Sequence, residues 1–90
     1  MIGEEAAKLL WDAHGAAQRI ARFVAGRGFD DFMADDMLRA AVERQFEIIG
    51  EAFAGLRRID PKLVWGVIEN HLPALHATLA QLLGNAPGAR

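Results

Sequence analysis

Residues 37–52 read Met37-Leu38-Arg39-Ala40-Ala41-Val42-Glu43-Arg44-Gln45-Phe46-Glu47-Ile48-Ile49-Gly50-Glu51-Ala52, and the same pattern runs on to Arg57. Val42, Phe46, Ile49, Phe53 and Leu56 recur at steps of four, three, four and three. That spacing returns side chains to one face of a helix. Ala41, Ile48 and Ala52 widen the stripe to about half the circumference, enough to serve one neighbour inside a bundle and another across a dimer. Gln45 falls inside the stripe. A buried amide must find hydrogen-bond partners, so Gln45 either fixes helix register or dimer geometry, or sits at an edge beside water. Asp35 or Asp36 supplies the N-cap, because a carboxylate there accepts from free backbone N–H groups.

Working outward, a first helix is expected from about Glu4 to Ala25, with Leu9, Ala13, Ala16, Ile20 and Phe23 on its apolar face. Gly26-Arg27-Gly28 supplies the left-handed backbone that ends helices. Phe29 to Ala34 reads as a connector with a helical turn of its own. On the other side, Asp60-Pro61 marks a new helix start: Asp caps, and Pro in the first position loses no hydrogen bond. A third helical region covers Lys62 to Leu83, and Leu75, Leu79 and Leu82 continue its period past Pro73. Proline removes an N–H and clashes with the preceding turn, so this region is either one kinked helix or one helix to about Asn70 and another from Pro73. Gly84-Asn85 ends it, and residues 86–90 are expected to fray. No alternating β-branched run indicates a strand.

Composition agrees with this pattern. Ninety residues with 52% hydrophobic side chains make one domain, spanning residues 1–90, with a single thin core. A domain this small often completes its core with a second copy. There is no cysteine, so disulfide and thiolate chemistry are excluded. No apolar run is long enough to span a membrane, and the acidic Met1-Ile2-Gly3-Glu4-Glu5 start carries no signal-like core; a cytoplasmic location is expected. The net charge of −2 provides no basic surface of the kind that phosphate binding uses.

Several blocks together resemble the HepT-like ribonucleases of the HEPN group: the 37–52 stretch itself, Leu9-Leu10-Trp11-Asp12-Ala13, Ile20-Ala21-Arg22-Phe23-Val24, Phe29-Asp30-Asp31-Phe32, Leu63-Val64-Trp65-Gly66-Val67-Ile68-Glu69 and Leu72-Pro73-Ala74-Leu75. The blocks follow the family's order from about Glu4 to Leu83. The resemblance implies an RNA-cleaving toxin paired with a nucleotidyltransferase antitoxin. In that family two chains bring together an Arg, then after four intervening residues a His, and after one more residue a Tyr that the antitoxin modifies with AMP. Here Leu56-Arg57-Arg58-Ile59-Asp60-Pro61 runs directly into Lys62-Leu63-Val64-Trp65, with no counterpart of the segment that carries this motif. The residues five positions before His14, His71 and His76 are Leu9, Gly66 and His71, and the chain has no tyrosine. No catalytic residue is therefore carried over, and the expectation is a shortened form that has lost the ribonuclease chemistry.

Individual residues are weighed against plainer roles. Glu43, Glu47 and Glu51 share a helix face; a carboxylate metal site competes with a polar flank balanced by Arg39 and Arg44, and the absence of a helical His motif favours the flank. His71 and His76, five apart, do not share a face. Trp11 and Trp65 read as core or dimer anchors. Arg19, Arg22, Arg57 and Arg58 read as solvated arginines before RNA or antitoxin contacts. The resulting expectation is an all-α bundle of three main helices, the third broken at Pro73. It has no metal or cofactor and forms a homodimer through the second helix. Interface candidates are Val42, Gln45, Phe46, Ile49, Phe53 and Trp65. RNA and the nucleotidyltransferase enter as partners through the resemblance alone. A helical dimerisation module with no toxin role and an active ribonuclease with a relocated site are the alternatives.

Overall fold

In a computed structural model the 3.6-residue period becomes, among the described residues, the helices α1 (Glu4–Val24), α2 (Phe29–Ala34), α3 (Asp36–Ile59), α4 (Pro61–Asn70) and α5 (Leu72–Leu83). Residues 3–70 and 72–83 are described, with side chains through Ala80. The three regions read from sequence are α1, α3 and the α4–α5 pair, with α2 as the helical connector. No helix among the described residues is long and apolar enough to cross a membrane. The helix end at Gly84-Asn85 and the tail at 86–90 lie outside the described residues, as does the side chain of Leu82.

Each junction has a local cause. Glu4 and Glu5 in the first turn of α1 and Arg22 in the last complement the helix dipole. The helix stops where Gly26 takes φ +72°, and the Arg27 N–H then donates to the Val24 carbonyl at 2.9 Å. The Gly28 N–H donates to Asp31 Oδ2 at 3.1 Å and starts α2. Asp35 then separates α2 from α3 as a single extended residue. Its Oδ1 accepts from the Leu38 N–H at 3.0 Å and its Oδ2 from the Arg27 guanidinium at 3.2 Å. The Leu38 N–H, followed by Arg27, holds this carboxyl below its ordinary value of 3.8.

Asp60 plays the same part between α3 and α4. Its N–H closes α3 on the Leu56 carbonyl at 2.9 Å, and its Oδ1 accepts from the Lys62 N–H at 3.0 Å. The last region is described on either side of His71, as α4 to Asn70 and α5 from Leu72, with Pro73 near the start of α5. The choice between one kinked helix and two helices lies at His71, outside the described residues.

The core lies between α1 and α3. Ala16, Ile20 and Val24 of α1 pack with Leu38, Val42 and Ile49 of α3 and with Leu75 of α5. At the other end Ala6, Leu56 and Val67 form a second cluster, and Phe53 packs against both. The buried line of α3 is thus Leu38, Val42, Gln45, Ile49, Ala52 and Leu56, with Gly55 beside it. Phe46 does not belong to it. One position on from Gln45, it is rotated to the edge and 38% exposed. At Gly55 the Leu9 side chain of α1 fills the space beside α3: a Cβ there would lie 2.6 Å from Leu9 Cδ1.

Two outcomes follow. Gly55→Ala should lower stability in urea unfolding by about 1–2 kcal/mol, since the clash with Leu9 outweighs the gain in helix propensity; the Leu9→Ala/Gly55→Ala pair should lose less than the two single changes added together. Asp35→Ala should destabilise the protein at neutral pH. Because the folded carboxyl is held low, its contribution is complete above about pH 4 and is lost as pH falls through the lowered folded value. The gap between the native chain and Asp35→Ala should therefore be wide at pH 7 and should shrink progressively as pH is taken below 3.8.

Candidate functional site

Of the six interface candidates, five lie on α3, and the fold divides them. Val42 and Ile49 are buried in the core beneath α1 and α5. Gln45 is 8% exposed, and its Oε1 accepts from Arg19 Nε of α1 at 2.6 Å. These three use their side chains inside the chain and present nothing to a partner. Phe53 is half-buried and, with Ala54, Arg57 and Val64, lines a surface depression of about 360 Å³. Phe46 and Trp65 are exposed, Trp65 at 60%.

The Arg19–Gln45 bond settles which role Gln45 takes. The amide oxygen is satisfied by a charged donor from the neighbouring helix, which fixes the register of α1 on α3. Arg19 is half-buried and lies over Gly15, where a Cβ would meet its guanidinium at 3.3 Å. This corrects the solvated reading of Arg19; Arg22, Arg57 and Arg58 are exposed as read. The signal was present in the sequence: a polar residue inside an apolar stripe needs a donor, and a glycine four residues before an arginine makes room for one.

Of the two roles read for the tryptophans, core packing falls away: Trp11 is 75% and Trp65 60% exposed. Met37 and Met33 are exposed as well. A large apolar side chain outside the core is a contact waiting for a surface to meet, provided it is part of a patch.

Among the described residues no shared chemical centre draws the titratable side chains together. Glu43, Glu47 and Glu51 point to solvent, and Glu47 pairs with Arg44 at 3.7 Å on the same helix. Among the described residues no group of three His, Asp or Glu side chains is placed to hold a metal ion. His14 lines a small cavity of about 170 Å³ with Gln18, Asn70 and Thr78. His76 lines a separate groove with Ile68, Leu72 and Pro73. His71, and with it the reading of the His71–His76 spacing, lies outside the described residues.

A family model described as Ribonuclease HepT-like matches residues 13–59, more than half of the chain. The match covers most of α1, all of α2 and all of α3, and so includes the Arg19–Gln45 contact. Comparison with curated proteins and with solved structures returned no match.

The register bond should be asymmetric in its cost. Arg19→Ala leaves a buried amide oxygen without a donor and should cost about 1–3 kcal/mol. Gln45→Leu removes the buried polar group, and Arg19 can turn to water, so it should cost less. Chemical denaturation of the two variants side by side measures the difference.

Proposed function

Because this chain belongs to the HepT-like ribonuclease family, we propose that it is a member that keeps the helical scaffold and a partner-binding surface but does not cut RNA. The observation that carries the proposal is the junction at Asp60. One residue both closes α3 and caps α4, at the place where the family resemblance leads one to look for the Arg, His and Tyr. The family match also ends at Ile59, the last residue of α3.

Cutting RNA without a metal requires a base to take the ribose hydroxyl proton and a cation to steady the charge on phosphorus, both within hydrogen-bond reach of the same site. His14 and His76 line separate depressions, and neither is preceded by the Arg spacing of the family. The partner is a nucleotidyltransferase antitoxin of a toxin–antitoxin pair. With no tyrosine among these 90 residues, AMP transfer has no phenolic acceptor here, so the relation to such a partner is one of binding. A helical interaction module with no toxin role is the second reading, favoured by the exposure of Trp11 and Trp65.

Two measurements separate the readings. Purified protein incubated with RNA should give no cleavage above buffer. Turnover lost on changing the histidines to Ala would contradict the proposal, and turnover that survives those changes would indicate a relocated site of a different kind. A genomically neighbouring nucleotidyltransferase should form a complex with the chain without ATP; failure to bind would favour the interaction module.

A further inference from the structure

Helices α1 and α5 meet along a seam of small side chains. Ala17 and Ala21 are four apart and share a face of α1 with Gln18. Ala74 and Thr78, also four apart, share a face of α5. Leu75 seats α5 on the chain: it is buried in the core with Ile20 and Ile49. That seat sets the distance between the helices, and the alanines beside it are too short to close the gap. A cleft of about 170 Å³ is left, to which Asn70, the last residue of α4, also contributes. Gln18 and Asn70 are exposed, so the cleft opens to solvent on their side.

The lining has an apolar part and a polar part. Ala17, Ala21, Ala74 and Leu75 form the first. Among the described residues no carboxylate, ammonium or guanidinium lines the cleft. Nothing there offsets the cost of taking an ionic group out of water, so the cleft suits a neutral ligand. The polar part is rich in acceptors. Asn70 Nδ2 donates to the Gly66 carbonyl at 2.8 Å, and the Thr78 hydroxyl donates to the Ala74 carbonyl at 3.1 Å. Each keeps its own oxygen as an acceptor. Gln18 forms no hydrogen bond with the described residues, so its amide offers an acceptor and two donors. Asn70 Oδ1, Thr78 Oγ and Gln18 Oε1 are therefore three acceptors that no described residue satisfies.

We propose that this cleft binds a small neutral ring compound carrying a primary amide. The amide NH2 supplies two donors to a site with acceptors to spare. Its carbonyl accepts from the Gln18 side chain. The ring lies against the alanines and Leu75, where it restores the packing contacts that short side chains leave unmade. The size agrees, since an apolar cavity of about 150 Å³ takes a benzene ring, and this cleft is slightly larger and open on its polar side. Such a ligand touches α1, α4 and α5 together. It therefore binds the chain only while α5 is seated, and its binding stabilises that seating.

The site belongs to the α1–α5 seam and is independent of the reading of the chain as a non-cleaving toxin relative. Its test uses neither RNA nor an antitoxin. Benzamide titrated into the full chain should shift the methyl resonances of Ala17, Ala21 and Ala74 saturably and raise the melting temperature. Toluene, which keeps the ring and lacks the amide, should bind more weakly. Thr78→Val keeps the shape and removes one acceptor, so it should weaken benzamide about three- to tenfold and leave toluene unchanged. Ala74→Leu, at an exposed position of α5, should keep the helix content by circular dichroism, fill the cleft and abolish the methyl shifts. Absence of saturable shifts in the native chain at the solubility limit of benzamide would overturn the proposal. So would toluene binding as tightly as benzamide, or benzamide affinity unchanged in both Thr78→Val and Ala74→Leu.

Discussion

The close packing of α1 on α3 is the constraint on which the rest of this protein depends. Small residues permit it: Ala13 and Ala16 on one helix, Ala52 and Gly55 on the other. A polar bond fixes its register, since the Arg19 guanidinium meets the Gln45 amide in an otherwise apolar layer. The pairing of apolar faces would tolerate a slip of one helical turn far better than this bond does, because a slip would leave a buried amide oxygen unpaired. α2 attaches through Asp35, α4 through Asp60, and α5 through Leu75, which completes the cluster beneath Ile20 and Ile49.

One consequence is that the chain has little interior in which to build a chemical centre. Two long helices and a short pair enclose a single apolar layer, and the one polar side chain buried in it among the described residues, Gln45, is already engaged. What the fold leaves over is surface: Trp65 on α4, Trp11 on the outer side of α1, and Phe46 at the edge of the buried line of α3. Family membership is shown over residues 13–59, which hold the α1–α3 contact. The proposed loss of ribonuclease chemistry follows from the α3–α4 junction.

Helix ends were the most legible feature of the sequence because each has a chemical signature. Asp35 accepts from a backbone N–H three residues on, Asp60 precedes Pro61, and Gly26 adopts a backbone conformation that side chains resist. The phase of the α3 stripe was legible only to within one residue. Phe46 outranks Gln45 in hydrophobicity, so a reading by residue type places the phenylalanine inward. The structure does the reverse, because Gln45 sits squarely on the line through Val42 and Ile49 and finds a donor there. The interface set was the least legible part. A half-circumference apolar stripe does not say which half the chain itself covers. Val42, Gln45 and Ile49 proved to be interior, whereas Phe46 is exposed and Phe53 half-buried. The tryptophans show the same limit, since size predicts a large contact area without saying whose surface supplies it.

Native-state hydrogen exchange, resolved by residue, tests the dependence on the α1–α3 layer most directly. The slowest amides should cluster around Ala16 and Ile20 of α1 and Gln45 to Ala52 of α3, exchanging through one common opening, while α2, α4 and α5 exchange faster through smaller openings. Slowest exchange in α4 and α5, or separate opening energies for α1 and α3, would contradict the account.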